Sequence, residues 1–192
     1  MSGYPNWFAQ SAQHNFEEFL TPLAGTDRLR FLQLGAFTGD ATVWVCDNIF
    51  TGKFCYIHDV DTWKGSDEAE HKSMNFVSVY DTYRRKTNHY AQVLRVPSTT
   101  LNFLTNQSGK SPIFDFIYVD ADHTTVGVLL DGELSWPLLK SGGIMSFDDY
   151  TWGHESGDPR LAPMVGIDLF LHRHQGEYEL LAKNTQVWIK KL

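Results

Sequence analysis

Short apolar runs that alternate with helical stretches restrict the fold of this 192-residue chain more than any other feature. Such alternation is typical of a parallel sheet that is covered by helices on both faces. The runs predict five parallel strands, at residues 30–34, 54–60, 92–96, 113–119 and 144–147. Two later runs, at 178–181 and 187–190, flank a short polar turn and predict an antiparallel hairpin at the sheet edge. The sequence therefore predicts an α/β fold.

Length and composition favour one globular domain over residues 1–192, because soluble domains usually have about 100–200 residues. Within it, 1–28 is predicted to be an N-terminal helical segment and 29–192 the core. The hydrophobic fraction of 42% and the charged fraction of 20% are ordinary for a globular protein.

The charge balance and the apolar patterning exclude several classes of partner. Sixteen basic against 23 acidic residues give a net charge of −7, so the chain lacks the positive surface that nucleic acids require. Apolar runs all fall short of the ~20 residues that span a bilayer, and the N-terminus does not resemble a signal peptide. The two cysteines form neither a disulfide framework nor a metal motif. These features predict a cytoplasmic protein without nucleic-acid or membrane partners.

Glycine and acidic residues follow the first two predicted strands, where ligands of open α/β sheets bind. Gly35 and Gly39 flank a turn after the first strand, and glycine lets the backbone approach a ligand closely. Asp61, after the second strand, could accept hydrogen bonds from ribose hydroxyls. The pattern favours a ligand that contains a nucleoside, although Asp61 could instead cap a helix or a turn.

Three aspartates follow the fourth and fifth predicted strands: Asp120, Asp148 and Asp149. If these strands are neighbours, about 4.8 Å apart, the three carboxylates project into one small volume and repel one another. A divalent cation would remove that conflict, and an all-oxygen ligand set suits Mg²⁺, Mn²⁺ or Ca²⁺. The alternative is that two of the three cap helices or lie solvated in a loop.

His123 follows Asp120 by three residues and is predicted to face the same mouth of the sheet. An imidazole with a pKa near 6.5 can take a proton from a hydroxyl group at neutral pH. His123 is therefore a candidate general base, and capping of the following helix is an equally good interpretation.

Four segments, in order, resemble the motifs of class I S-adenosylmethionine-dependent methyltransferases: LQLGAFTGDAT, HDVDTW, FDFIYVDADHTT and LLKSGGIMSFDDYTW. Within that class, the chain is similar to metal-dependent O-methyltransferases of the macrolide-sugar and the caffeoyl-CoA or catechol types. The resemblance covers about residues 30–190. It implies a Rossmann-like, seven-stranded, mostly parallel sheet with helices on both faces, and it makes 29–192 a cofactor-binding core.

The resemblance also implies roles in binding S-adenosylmethionine. Three residues would pack against the methionine half of the cofactor: Gly35, Phe37 and Gly39. Asp61 would hold the ribose, Ser98 would lie near the adenine, and Asp122 would also contact the cofactor.

For the metal and the reaction, the resemblance implies that Asp120, Asp148 and Asp149 bind a divalent ion, with Mg²⁺ the expected metal. His123 matches the general base of the sugar-modifying group, so His123 and Asp120 are the implied catalytic residues. The acceptor would be a hydroxyl of a small molecule or a sugar. Members of such families often assemble, so a homo-oligomer is also compatible with the resemblance.

Two positions depart from the family pattern: Gln33 stands where an acidic residue is usual, and Ala41 stands where a serine is common. They leave open a binding or scaffold module without catalysis. An N-methyltransferase is a second alternative. A nicotinamide or nucleotide-sugar enzyme is a third, although the loop lacks the third glycine of dinucleotide-binding proteins.

Overall fold

The computed structural model describes residues 3–66, 69–153 and 157–192, and their strands form a seven-stranded sheet. The strands are β1 (Arg30–Leu34), β2 (Tyr56–Asp61), β3 (Val93–Pro97), β4 (Phe114–Val119), β5 (Leu139–Phe147), β6 (Tyr178–Lys183) and β7 (Val187–Lys191). Their spatial order is β3-β2-β1-β4-β5-β7-β6. Strands β1 to β5 pair in parallel, and β7 pairs antiparallel with both β5 and β6. The predicted fold class is confirmed.

Helices cover both faces of this sheet. They are α1 (Gln13–Leu20), α2 (Asp40–Asn48), α3 (Ala69–Lys72), α4 (Phe76–Thr87), α5 (Thr100–Thr105), α6 (Thr125–Ser135) and α7 (Pro163–Arg173). Alternate strand residues face opposite layers. Thus Leu32 packs in a core with residues of α5, α6 and α7, whereas Phe31 packs in a second core with residues of α1 and α2. No helix in the described ranges is both long and apolar enough to cross a membrane.

Side-chain caps begin three helices, and two of these start directly beyond strand ends. The side chains of Asn75, Thr99 and Thr124 accept hydrogen bonds from backbone amides in the first turns of α4, α5 and α6. Such caps satisfy amides that have no partner inside the helix. Since α5 follows β3 and α6 follows β4, the caps fix where the chain turns back at the carboxyl edge of the sheet.

Several element boundaries differ from the sequence prediction, and proline accounts for two of them. A helix is predicted over 125–139, but α6 ends at Ser135, a 3₁₀ turn containing Pro137 follows, and β5 already begins at Leu139. The N-terminal helix likewise ends at Leu20, before a 3₁₀ turn that contains Pro22. Proline lacks the amide that would continue an α-helix.

Candidate active site

The carboxyl ends of four parallel strands meet at one edge of the sheet. Leu34 of β1 is in register with Val60 of β2 and with Val119 of β4, which in turn is in register with Phe147 of β5. The expectation that β4 and β5 are neighbours is therefore confirmed. The segments that follow these strands lie together at this edge: 35–39, 61–63, 120–123 and 148–149.

The glycine-rich loop, residues 35–39, joins β1 to α2 in a backbone conformation that requires its glycines. Gly35 and Gly39 have φ angles of +84° and +81°, which L side chains adopt only with strain. A Cβ at Gly35 would overlap the carbonyl oxygen of Asp120, and a Cβ at Gly39 would lie 2.9 Å from the ring of Tyr83. Both glycines are thus also required by packing inside the protein, and Gly35 brings this loop against the start of the segment after β4.

Asp61 binds the glycine-rich loop through backbone amides. Its Oδ2 accepts hydrogen bonds from the amides of Ala36 (2.8 Å) and Phe37 (2.9 Å), and its Oδ1 accepts one from the amide of Trp63 (2.6 Å). A carboxylate has about four acceptor positions, so one on Oδ1 is left for a ligand hydroxyl. The turn-capping alternative for Asp61 is therefore realised, and the contact of Asp61 with a ribose stays a prediction.

Aromatic side chains from outside the loop pack on Phe37, a contact that the sequence analysis did not anticipate. Phe37 has φ +43°, and its carbonyl accepts a hydrogen bond from the Trp63 indole (3.0 Å). Its ring stacks on Trp7 with 4.8 Å between centroids, and Tyr4 meets it edge-on at 6.0 Å. The aromatic residues before the predicted N-terminal helix were the available signal. The N-terminal residues Tyr4 and Trp7 thus cover the Phe37 side of the glycine-rich loop.

Ser98 and Asp122 occupy different surroundings at the same edge. The Ser98 amide donates a hydrogen bond to the Asp61 carbonyl (3.1 Å), which places Ser98 beside the predicted ribose site. Asp122 accepts a hydrogen bond from the Thr124 amide (2.9 Å), and its carboxyl group lies against Gly127 at the start of α6. The roles of Ser98 and Asp122 toward a cofactor stay predictions.

Asp120, His123 and Asp149 bring their side-chain ends together, and we call them the carboxylate–histidine cluster. Their potential ligand atoms lie within 4.8 Å of one another. The Nε2 atom of His123 is 2.9 Å from Asp149 Oδ2 and 3.7 Å from Asp120 Oδ1. The three side chains are 20–31% exposed, and the ring nitrogens of His123 are buried among them. Two carboxylates and an imidazole at these separations could hold a divalent cation.

Asp148, which the sequence predicts as a third carboxylate ligand, lies near Asp120 but is not one of the three side chains whose ligand atoms are within 4.8 Å of one another. Its Oδ2 accepts a hydrogen bond from the Tyr118 hydroxyl, and its Oδ1 accepts one from the amide of Asp149 (2.8 Å). Asp149 itself has a left-handed backbone with φ +55°. His123 is the third side chain of the cluster, Asp148 fixes the turn at Asp149, and the predicted metal role of Asp148 stays a prediction.

Electrostatic repulsion marks the edge between β4 and β5. Burial, followed by the nearby Asp148 carboxylate, raises the pKa of Asp120 well above its usual range. Burial and the neighbouring Asp149 raise the pKa of Asp148 to about 6. Such mutual destabilisation of ionised carboxylates is what a bound cation relieves.

The sequence further predicts that the N-terminal helix, residues 63–89 and the loop 152–163 form the acceptor site, with His154 and Glu155 as candidates for contact with the substrate. Of that loop, residues 154–156 lie outside the described residues, so the candidate contacts of His154 and Glu155 do as well. The Trp152 ring lies 5.2 Å from the His123 ring, between centroids. Trp152 is therefore the described aromatic residue of this loop that borders the carboxylate–histidine cluster.

Comparisons with known proteins agree with this geometry. Residues 32–150 match the family described as a methyltransferase domain. The fold is similar to cofactor-bound Rv0187 from MTB, with 19% identity, 99% of this chain and 84% of the other covered, and a TM-score of 0.67. It is also similar to an O-methyltransferase from Bacillus cereus in complex with SAH, with 17% identity, 94% of this chain and 81% of the other covered, and a TM-score of 0.64. A third similar structure is the N-methyltransferase NodS from Bradyrhizobium japonicum, with 13% identity, 97% of each chain covered and a TM-score of 0.58.

The search of curated proteins found no match. The structural similarities, all below 20% identity, establish the shared fold. The family match, in contrast, is evidence of family membership. It extends from β1 to residue 150, just beyond β5, and covers more than half of the chain. On that match, the protein belongs to the methyltransferase-domain family.

Proposed function

We propose that this protein transfers a methyl group from S-adenosylmethionine to a hydroxyl of a small molecule or sugar, with the help of a divalent cation such as Mg²⁺. One observation carries the proposal. Gly35 abuts the backbone of Asp120, so the glycine-rich loop and the carboxylate–histidine cluster adjoin at one sheet edge. A cofactor on the loop and an acceptor on the cluster would then be neighbours.

The residues of the loop suit the predicted cofactor. The backbone of Gly35, Phe37 and Gly39 would accommodate the methionine half, and the remaining acceptor position of Asp61 Oδ1 would receive a ribose hydroxyl. Ser98 lies beside Asp61, on the side expected for the adenine. The similar fold of a Bacillus cereus O-methyltransferase in complex with SAH supports this choice of cofactor.

The cluster suits the activation of a hydroxyl. S-adenosylmethionine supplies an electrophilic methyl group, and a divalent cation lowers the pKa of a hydroxyl bound to it. Asp120 and Asp149 would hold the cation, and Asp148 would keep Asp149 in position through its amide. His123, beside both carboxylates, would serve as the general base that receives the acceptor's proton.

An acceptor with a hydroxyl agrees better with this site than an amine does. A hydroxyl must lose its proton for efficient attack, whereas a neutral amine attacks before it loses one. The convergence of His123 with two carboxylates provides both a cation site and a base, which an amine acceptor would not require. The net charge of −7 further disfavours a nucleic-acid acceptor.

Calorimetric titration tests the proposal directly. S-adenosylmethionine should bind the purified chain with micromolar affinity, both with Mg²⁺ and after chelation, because the loop forms without the cation. Mn²⁺ should bind the wild type and bind at least tenfold more weakly to D149N. D115N is the matched control, because Asp115 lies at the other end of β4 and bonds to Lys140. Absence of cofactor binding, or equal Mn²⁺ affinity in D149N and D115N, would overturn the corresponding part of the proposal.

A further variant, H123A, separates two possible roles of His123. H123A should slow methylation and shift its pH profile while Mn²⁺ affinity stays within threefold of wild type. A large loss of Mn²⁺ affinity in H123A would make His123 a metal ligand instead of the base.

A further inference from the structure

A buried hydrogen-bond network centred on Asp59 lies between the glycine-rich loop and helices α2 and α4. The Asp59 side chain, on β2, has no solvent exposure. Its Oδ2 accepts hydrogen bonds from the hydroxyls of Thr42 (2.8 Å) and Tyr83 (2.7 Å). Thr42 also lies 3.3 Å from Gln33 Oε1, so the network links β1, β2, α2 and α4. The proposed reaction makes no use of these groups.

The network contacts both glycines of the loop. Gln33 Nε2 donates a hydrogen bond to the Gly35 carbonyl (2.9 Å). The Tyr83 ring packs against Gly39, where a Cβ would come within 2.9 Å of it. The bond from its hydroxyl to Asp59 helps to hold the Tyr83 ring in this place, because a buried hydroxyl without a partner is costly. Asp59 therefore reaches the Gly39 end of the loop through Tyr83. It reaches the Gly35 end through Thr42, which contacts Gln33.

Gln33 and Asp59 complement each other across neighbouring strands. They are in register on β1 and β2. The Gln33 amide donates to the Gly35 carbonyl, which a carboxylate could not do, while the single hydroxyl proton of Thr42 goes to the nearer Asp59 Oδ2. An acidic residue at position 33 would also place two carboxylates in one buried site. The carboxylate that serves this loop thus lies on β2 in this chain, two residues before Asp61.

We propose that Asp59 is a positioning residue that holds the glycine-rich loop in the conformation that binds the cofactor, without touching the cofactor. The inference rests on the proposed function, because its readout is the affinity for S-adenosylmethionine. It predicts that loss of the Asp59 bonds weakens cofactor binding more than it slows the chemical step.

The ionisation of Asp59 provides a second readout. Burial raises the pKa of Asp59 to about 6, against the opposing hydrogen bonds from Tyr83 and Thr42. The charged or titratable groups that also face it are Asp61 on its own strand, Arg95 on β3 and Cys46 on α2. A protonated carboxyl accepts these hydrogen bonds more weakly than a carboxylate. Cofactor affinity should therefore decrease as the pH falls below about 6, and part of that decrease should disappear in D59N.

The experiment measures cofactor affinity by calorimetry at pH 7.5 and pH 5.5 for the wild type, D59N, Y83F and the control D131N. Asp131 is also a buried aspartate with a raised pKa, but it lies on α6. We expect D59N and Y83F to weaken binding at least fivefold at pH 7.5 with kcat within twofold, and D131N to stay within twofold. Y83F removes only one hydroxyl, so it serves as the test if D59N does not fold.

The outcomes are distinct. If the wild type binds S-adenosylmethionine and both D59N and Y83F bind it within twofold, the positioning role of Asp59 is wrong and the proposed function stands. If D131N weakens binding as much as D59N, removal of any buried carboxylate has this effect and the role is again wrong. If the wild type does not bind S-adenosylmethionine, the proposed function fails and the inference fails with it.

Discussion

The two halves of the candidate active site satisfy their polar groups in opposite ways. At the glycine-rich loop, the oxygens of Asp61 accept three backbone amides, and Asp59 accepts two hydroxyls. At the carboxylate–histidine cluster, Asp120 and Asp149 face each other with His123 between them, and burial with neighbouring charge raises the pKa of Asp120. The loop is thus preorganised by the protein alone, whereas the cluster brings like charges together, which is the reason we propose a cation there.

The comparison makes its strongest prediction at Asp61. D61A removes the acceptor of three backbone amides, so we expect the free energy of unfolding to fall by about 3 kcal/mol. Cofactor affinity should fall by about 100-fold, because the loop also loses its anchor. Urea denaturation and calorimetry measure the two effects. An unchanged urea midpoint would mean that the loop keeps its conformation without Asp61.

A buried acid outside both regions gives a reference for the effect of pH. Asp131 is 3% exposed, and burial raises its pKa to about 7. A pKa raised in the folded state means that the stability contributed by protonated Asp131 is present below pH 4 and is lost as the pH rises through 7. D131N should therefore be roughly 3 kcal/mol more stable than the wild type at pH 8 and nearly equal at pH 4. Urea denaturation at both pH values measures this, and a constant difference between them would contradict it.

Removal of a carboxylate at the carboxylate–histidine cluster should raise the free energy of unfolding, whereas its removal at the glycine-rich loop should lower it. D120N relieves repulsion with Asp148 and Asp149, so without divalent cations we expect it to be more stable by on the order of 1 kcal/mol. Mg²⁺ should raise the melting temperature of the wild type, by binding the folded state, and leave that of D120N unchanged. Thermal melts with Mg²⁺ and with chelator test both points. A lower melting temperature for D120N in chelator would show that Asp120 is already stabilised by the protein.

The sequence predicted the sheet and the location of the site because both depend on simple periodicity. Apolar runs alternate with helices, and the acidic residues follow strands whose ends must meet once the strands are parallel. The position of Asp148 outside the cluster could not be predicted this way. It depends on the Tyr118 hydroxyl beside Asp148 and on the left-handed backbone of Asp149, neither of which the spacing encodes.

The glycine-rich loop shows a similar limit. Its glycines were found from their spacing, but their main contacts are with Asp120 and Tyr83, which are distant in sequence. The role of Asp59 was also hidden, since a polar residue inside a strand gives no sign of which helix side chains will reach it. Long-range partners of polar groups, rather than the elements themselves, are what the sequence left undetermined.

The smallest expected effect concerns the aromatic contact on the loop. Trp7 stacks on Phe37 at 4.8 Å between centroids and is 39% exposed, so the pair should contribute about 1 kcal/mol to holding Phe37. W7A should therefore weaken cofactor binding by about fivefold, far less than D61A, because Asp61 still holds the Phe37 amide. F54A, at a phenylalanine that is 66% exposed, is the control and should bind as the wild type does. Calorimetry separates the two. If W7A lowers affinity as much as D61A, the N-terminal segment shares the anchoring of the loop equally with Asp61, and the loop is not preorganised by its hydrogen bonds alone.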